Sequence, residues 1–264
     1  MLFPGVLLII DTKEAFNMWS LSRKVNRKKA VFKTVEIHSP CDVLPYVYWI
    51  EKQPVRLELP VSMLRMQGAF VYNRTHPFVR ALHDGPTALS DFYSEFAPSS
   101  ISEMYGIVLN GRKGESLPPW ELPWVMRNQR KAPARERGLK SEHGVSFYGP
   151  ASQEKIDMEH ERLCSLTCSI EKHGYDPDRF GDIEGHLMTN GSETCFFVRG
   201  GKHRAAALAY LGHEKIPVQL RRSWPLVVDS RSREYWPLVE NGSIDAGLAK
   251  EIFTIYLRGH YEKA

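Results

Sequence analysis

The stretch Phe196-Phe197-Val198-Arg199-Gly200-Gly201-Lys202-His203-Arg204-Ala205-Ala206-Ala207-Leu208 constrains the fold more than any other. An apolar, β-prone run stops at two glycines, and a strong helix former follows at once. Lys, His and Arg fill the first turn of that helix. A strand that ends in Gly-Gly and opens a helix leaves backbone N–H groups without intrahelical acceptors. The positive end of the helix dipole and three basic side chains add to them. Such a turn suits a phosphate group. Glycine matters because a side chain there would hold the anion away from the backbone. Basic groups at a helix N-terminus oppose the dipole, so stability alone does not favour them. The plainer reading is a turn that needs glycine for tight geometry, its basic residues merely solvated.

The flanks extend the pattern. Ala205 to Leu211 reads as helix and stops at Gly212, a natural C′ residue. Ile216-Pro217-Val218-Gln219-Leu220 reads as a buried strand. Upstream, residues 152–173 form the clearest helix, with Ile156, Met158, Leu163, Leu166 and Ile170 largely on one face and Gly174 as the stop. Asp182–Met188 and Thr194–Val198 read as a hairpin across Asn190-Gly191.

This order resembles the ParB/sulfiredoxin-like superfamily over residues 150–222. The resemblance rests on Gly201, His203 and Arg204 ahead of the Ala-rich helix, on "L-G" and "I-P-V", and on Leu166, Ile170 and Lys172-His173-Gly174-Tyr175. It implies a nucleotide-phosphate site at Gly200, Gly201, Lys202, His203 and Arg204. Sulfiredoxins carry a catalytic cysteine where this chain has Lys202, and Cys195 lies on the preceding strand, so sulfinic-acid reduction is not expected. The stretch after Arg222 lacks the pair of short helices of a partition-type DNA-binding domain. Some relatives are small-molecule kinases with an acid in Asp-Gly beside the turn, where this chain has Arg199-Gly200.

An acid from the neighbouring strand is the substitute. Asp182, Glu184 and His186 alternate and so project to one face of a strand. They offer a base or a Mg²⁺ ligand for phosphoryl transfer. The alternative is an edge strand with a polar, solvent-facing side.

The chain divides by composition into 1–30, 31–110, 111–149, 150–222 and 223–264. Leu2–Ile10 is a short apolar run without a basic leader region, read as a strand or a disordered leader. Met18 is an alternative start ahead of the basic run Arg23–Lys29, read as a solvated tail. Val31–Ile37 and Val55–Pro60 alternate like strands, and Tyr46, Tyr48 and Trp49 add β-prone mass. His76 is read as a helix cap, Gly85-Pro86 as a break, and Thr87 as the start signal of the next helix. From Arg112 to Lys140 there are eight Lys and Arg against three Glu. This segment is either a basic connection docked by Trp120 and Trp124, or a lid carrying Arg127, Arg130 or Lys131 to the phosphate site. His143 and Tyr148 are further groups within reach of a site. Ile244–Leu257 reads as a closing helix.

The predicted class is therefore α+β (mixed α/β), with a β-rich N-terminal region. A net charge of +4 is too small to diagnose nucleic-acid binding. Cys41, Cys164, Cys168 and Cys195 lack paired zinc-type spacing, and Cys164 and Cys168 fit helix packing better than metal binding. Nothing demands an oxidising compartment, so cytoplasm is the default and no membrane partner is expected. No P-loop, H-E-x-x-H, G-x-S-x-G or dinucleotide fingerprint is present. Three functions stay open. One is ATP-dependent, Mg²⁺-assisted phosphoryl transfer to a small hydroxylated metabolite, with Glu184 or Asp182 as base and Lys202 offsetting charge. Another is a nucleotide-responsive module without chemistry. The third is nucleic-acid binding through residues 112–140 and the N-terminal tail.

Overall fold

The computed structural model describes residues 33–36, 55–125, 139–144, 147–220 and 225–260. The expectations placed on Leu2–Ile10, Arg23–Lys29, Cys41, Tyr46, Tyr48, Trp49, Arg127, Arg130 and Lys131 lie outside these residues. Seven described strands form one mixed sheet. They are β1 (Lys33–Glu36), β2 (Val55–Pro60), β3 (Leu64–Arg65), β4 (Ile183–Thr189), β5 (Thr194–Gly200), β6 (Lys215–Leu220) and β7 (Val227–Asp229). The order is β1-β2-β6-β4-β5-β3, with β7 paired to β4.

The sheet answers a question the sequence leaves open. The strands of the N-terminal region join the same sheet as the hairpin: β2 runs antiparallel to β6, and β3 parallel to β5. The described residues make one compact unit, and their buried apolar side chains form one core. The class is α+β.

Strand β4 sits in the middle of the sheet. It pairs with β5 on one side, and on the other with β6 at Ile183–Gly185 and β7 at Leu187–Thr189. The edge-strand alternative is thereby overturned. Between Glu184 and Gly185 the partner on β5 jumps from Gly200 to Val198, so Arg199 is the extra residue of a β-bulge. Bulges bend a strand and re-aim the residues beside it. This one lies immediately before the Gly-Gly turn.

Eight helices are described: α1 (Pro77–Asp84), α2 (Pro86–Glu95), α3 (Ile101–Met104), α4 (Gln153–His173), α5 (Pro177–Phe180), α6 (Lys202–Tyr210), α7 (Pro237–Glu240) and α8 (Ala246–Arg258). His76 caps α1 as expected, its Nδ1 accepting from the Phe78 amide at 3.2 Å. Helix α2 begins one residue before the expected Thr87, because Pro86 supplies the preset φ of a first helical position and Gly85 turns the chain. Ser152 caps α4 through the Lys155 amide, and Asp245 caps α8.

Phe196 and Phe197 are successive on β5 and point to opposite faces. Both are buried, so both faces of the sheet are covered. On the Phe197 side stands Tyr256 of α8, in an aromatic group with Trp124, Trp236 and Phe253. Helices α1, α2, α4 and α6 pack on one another and carry the junction. Trp124 is 2% exposed and so docks in this aromatic group. No described helix is long and apolar enough to cross a membrane.

Candidate anion site at the strand–helix junction

Gly200 closes β5 and Gly201 opens α6 in a left-handed conformation, φ +81° and ψ +24°. A β-carbon on Gly201 would stand 3.0 Å from the Ile183 Cα and 3.1 Å from the Arg204 Nε. Conformation and space both require glycine there. No side chain caps α6, and its first backbone bond runs from the Ala205 amide to the Gly201 carbonyl at 2.9 Å. The amides of the first turn thus face outward from the helix end, where the dipole is positive.

Arg204 reaches back from this turn. Its Nη1 donates to the carbonyl of Phe180, and its guanidinium packs over Gly181, where an added β-carbon would collide with Nη1. A guanidinium has five N–H donors, so this bond orients Arg204 without exhausting it. The loop beneath is stiffened by the Tyr175 hydroxyl, which donates to the Gly181 carbonyl at 2.9 Å. Burial pushes that hydroxyl's pKa up to about 12.

The acids expected beside the turn separate. Asp182 accepts from the Arg56 Nε at 2.6 Å, and Asp178 accepts from the Arg56 Nη2 at 2.8 Å. Burial would lower the pKa of Arg56, but the bonds to Asp182 and Asp178 raise it. Asp182 is therefore the counter-ion of Arg56. Glu184 is the register partner of Gly200 and so lies at the turn. His186 is fully buried in the core, where its Nε2 accepts from the Trp124 Nε1 at 3.2 Å and its ring stacks on Phe197. Desolvation, with Arg199 nearby, lowers its pKa to about 3. The expected face of three ionisable groups is not formed. Among the described residues no three His, Cys, Asp or Glu side chains converge as a metal set.

The three basic residues also part company. Lys202 sets its Nζ over the ring of Phe147, 4.4 Å from the centroid. His203 turns inward and stacks on Phe78 at 4.9 Å with the planes 8° apart. Its Nε2 is buried, and burial together with Arg162, Lys202, Arg204 and Lys155 lowers its pKa to about 3. The shift favours a neutral His203 ring, so its side chain does not add a cation to the turn. Sequence reasoning missed Lys155 and Arg162. They lie on α4, whose packing on α6 brings them within electrostatic reach of His203. Lys155 is fully buried, with its Nζ 4.4 Å from the Tyr93 centroid, while the Tyr93 hydroxyl donates to buried Glu159. A lysine inside an otherwise regular amphipathic helix is the one signal that marked it.

Of the remaining expectations, His143 pairs with Ser152 and Glu154 at the start of α4, and Tyr148 is buried. Cys164 lies beside His160 on the same helix. Comparison with protein-family models, curated proteins and solved structures gives no match.

Proposed function

We propose that the Gly200–Arg204 turn binds the phosphates of a nucleotide, with ATP as the ligand in view. One observation carries this reading: Lys202 and Arg204 stand in the uncapped first turn of α6, and Lys155 and Arg162 of α4 act electrostatically on His203 in that turn. Basic side chains beside a helix end of positive dipole favour an anion at that end. The donor set fits a phosphate: amides from the turn, the remaining N–H groups of Arg204, and Gly201 keeping the approach open. The resemblance to the ParB/sulfiredoxin-like superfamily points to the same turn.

Phosphoryl transfer to a small hydroxylated metabolite is the catalytic form of this reading. Glu184, opposite Gly200, takes the proton of the attacking hydroxyl, and Lys202 offsets charge on the phosphates. Mg²⁺, when bound with the nucleotide, neutralises the phosphate oxygens. A nucleotide-responsive module without chemistry is the second reading. The pairing of Asp182 with Arg56 favours it, because that leaves Glu184 as the acid adjoining the turn.

Isothermal titration of ATP, ADP and inorganic phosphate, with and without Mg²⁺, tests the proposal on the wild type and on Lys202→Ala and Arg204→Lys. Saturable binding weakened by both substitutions supports it. Turnover of ATP only with a hydroxylated acceptor selects the kinase form, and binding without turnover selects the module. Failure of all three ligands to bind removes the proposal.

A further inference from the structure

Four rings lie in contact in a row that ends at His203 in the first turn of α6, two pairs stacked and His76 meeting Phe78 edge-on. Tyr72 lies on His76 with centroids 4.1 Å apart, His76 meets Phe78 at 5.6 Å, and Phe78 lies on His203 at 4.9 Å. The row runs from the segment before α1 into the anion turn. Its polar members are deeply buried: His76 is 0% and Tyr72 2% exposed. Among the described residues, the Tyr72 hydroxyl and the Nε2 atoms of His76 and His203 have no hydrogen-bond partner. Orphaned buried groups are costly, so a guest that pairs with them is favoured.

The kind of guest follows from the protons. His76 Nδ1 accepts from the Phe78 amide, so it carries a lone pair. Burial, with His203 and Lys202 nearby, keeps the ring neutral. A neutral imidazole with an accepting Nδ1 holds its proton on Nε2. His76 Nε2 is thus a donor, which rules out a metal ion at that atom. Burial also raises the pKa of Tyr72, so its hydroxyl stays protonated and can donate. Two donors, one of them in the field of Lys202, suit an acceptor with negative charge.

We propose that Tyr72 and His76 form an inner subsite behind the turn of α6, which takes a phosphate oxygen of the guest held by that turn. This rests on the phosphate-binding reading above. The outer contacts come from the turn amides and Arg204. The inner contacts come from the Tyr72 hydroxyl and His76 Nε2–H, two groups buried in the absence of a ligand and satisfied in its presence.

Tyr72→Phe tests the subsite because it deletes one hydroxyl and keeps the ring stack. Two quantities are read on the full chain: the melting temperature without ligand, and the affinity for inorganic phosphate and, separately, ATP by isothermal titration. The subsite predicts opposite signs. Removing an orphaned hydroxyl raises the ligand-free melting temperature, while affinity falls about tenfold, the equivalent of one lost hydrogen bond. Loss in both arms assigns the subsite to any phosphate, and loss for ATP with free phosphate failing to bind assigns it to the nucleotide. A variant that binds both like the wild type, or that melts lower without ligand, overturns the subsite. Arg204→Lys separates the two claims. If it weakens binding while Tyr72→Phe does not, the turn stands and the inner subsite falls. If the wild type binds neither probe, both fall.

Discussion

Glu184 stands directly across the β4–β5 ladder from Gly200, one residue before the turn that opens α6. The bulge at Arg199 falls between this pair and the next, so the ladder breaks just behind Glu184. A carboxylate is thereby held at the strand end nearest the proposed phosphates. In the catalytic form of the proposal, Glu184→Gln keeps the shape and removes the base. Nucleotide affinity stays within about threefold, while transfer falls by about 10²–10⁴. Coupled assays of ADP release with candidate acceptors measure it, and unchanged turnover would remove Glu184 from the chemistry.

Gly201→Ala strains the turn in two ways. Alanine pays for a positive φ, and its β-carbon presses on the Ile183 backbone and Arg204. The expected loss is about 1–3 kcal/mol, read by urea unfolding. Gly212→Ala is the control, since its φ is also positive but no atom lies within 4 Å of an added β-carbon. It loses stability by the backbone term alone and leaves phosphate affinity intact.

Arg56 and Asp182 tie β2 to the start of β4, with side chains 11% and 16% exposed. Asp182→Asn removes the charge that matches Arg56 and costs about 1.5–3 kcal/mol, the scale of a hydrogen bond to a charged group. Pairing it with Arg56→Met in a double-mutant cycle gives a coupling energy well above experimental error. A coupling near zero, together with loss of turnover in Asp182→Asn alone, would return Asp182 to a catalytic role.

His76, His186 and His203 each have a pKa lowered to about 3, first of all by burial. Unfolded, each titrates near about 6.5. Below that value the unfolded chain binds more protons than the folded one, so stability falls as pH drops. The loss begins near pH 6.5 and runs down toward pH 3, with a slope of up to about 1.4 kcal/mol per pH unit for each histidine. Denaturant unfolding at pH 7.0, 5.5 and 4.5 checks the sign; equal stability at all three contradicts the buried neutral state.

The junction was legible because it is local. Phe196–Leu208 carries its strand, its turn glycines and its helix in one unbroken run, and Gly174, Asn190 and Gly212 punctuate the elements around it. The destinations of side chains were not legible. His203 reads as a surface cation beside Lys202 and Arg204, but α1 brings Phe78 against it and it becomes a half-buried ring held neutral. Asp182 and His186 share a strand face by alternation, yet Arg56 claims one and Trp124 the other, from segments 126 and 62 residues away. Lys155 and Arg162 reach the turn only through the packing of α4 on α6. Local patterns placed the backbone; long-range packing decided the charges.

The central claim is that the first turn of α6 holds a phosphate group, and amide chemical shifts report on it most directly. In a ¹⁵N–¹H titration of the full chain with ATP and with inorganic phosphate, the amides of Lys202, His203 and Arg204 should move furthest and saturate together, with smaller shifts at Gly181 and Phe78. If these three amides stay in place at saturating ligand, or if the largest shifts fall elsewhere in the chain, the account is contradicted.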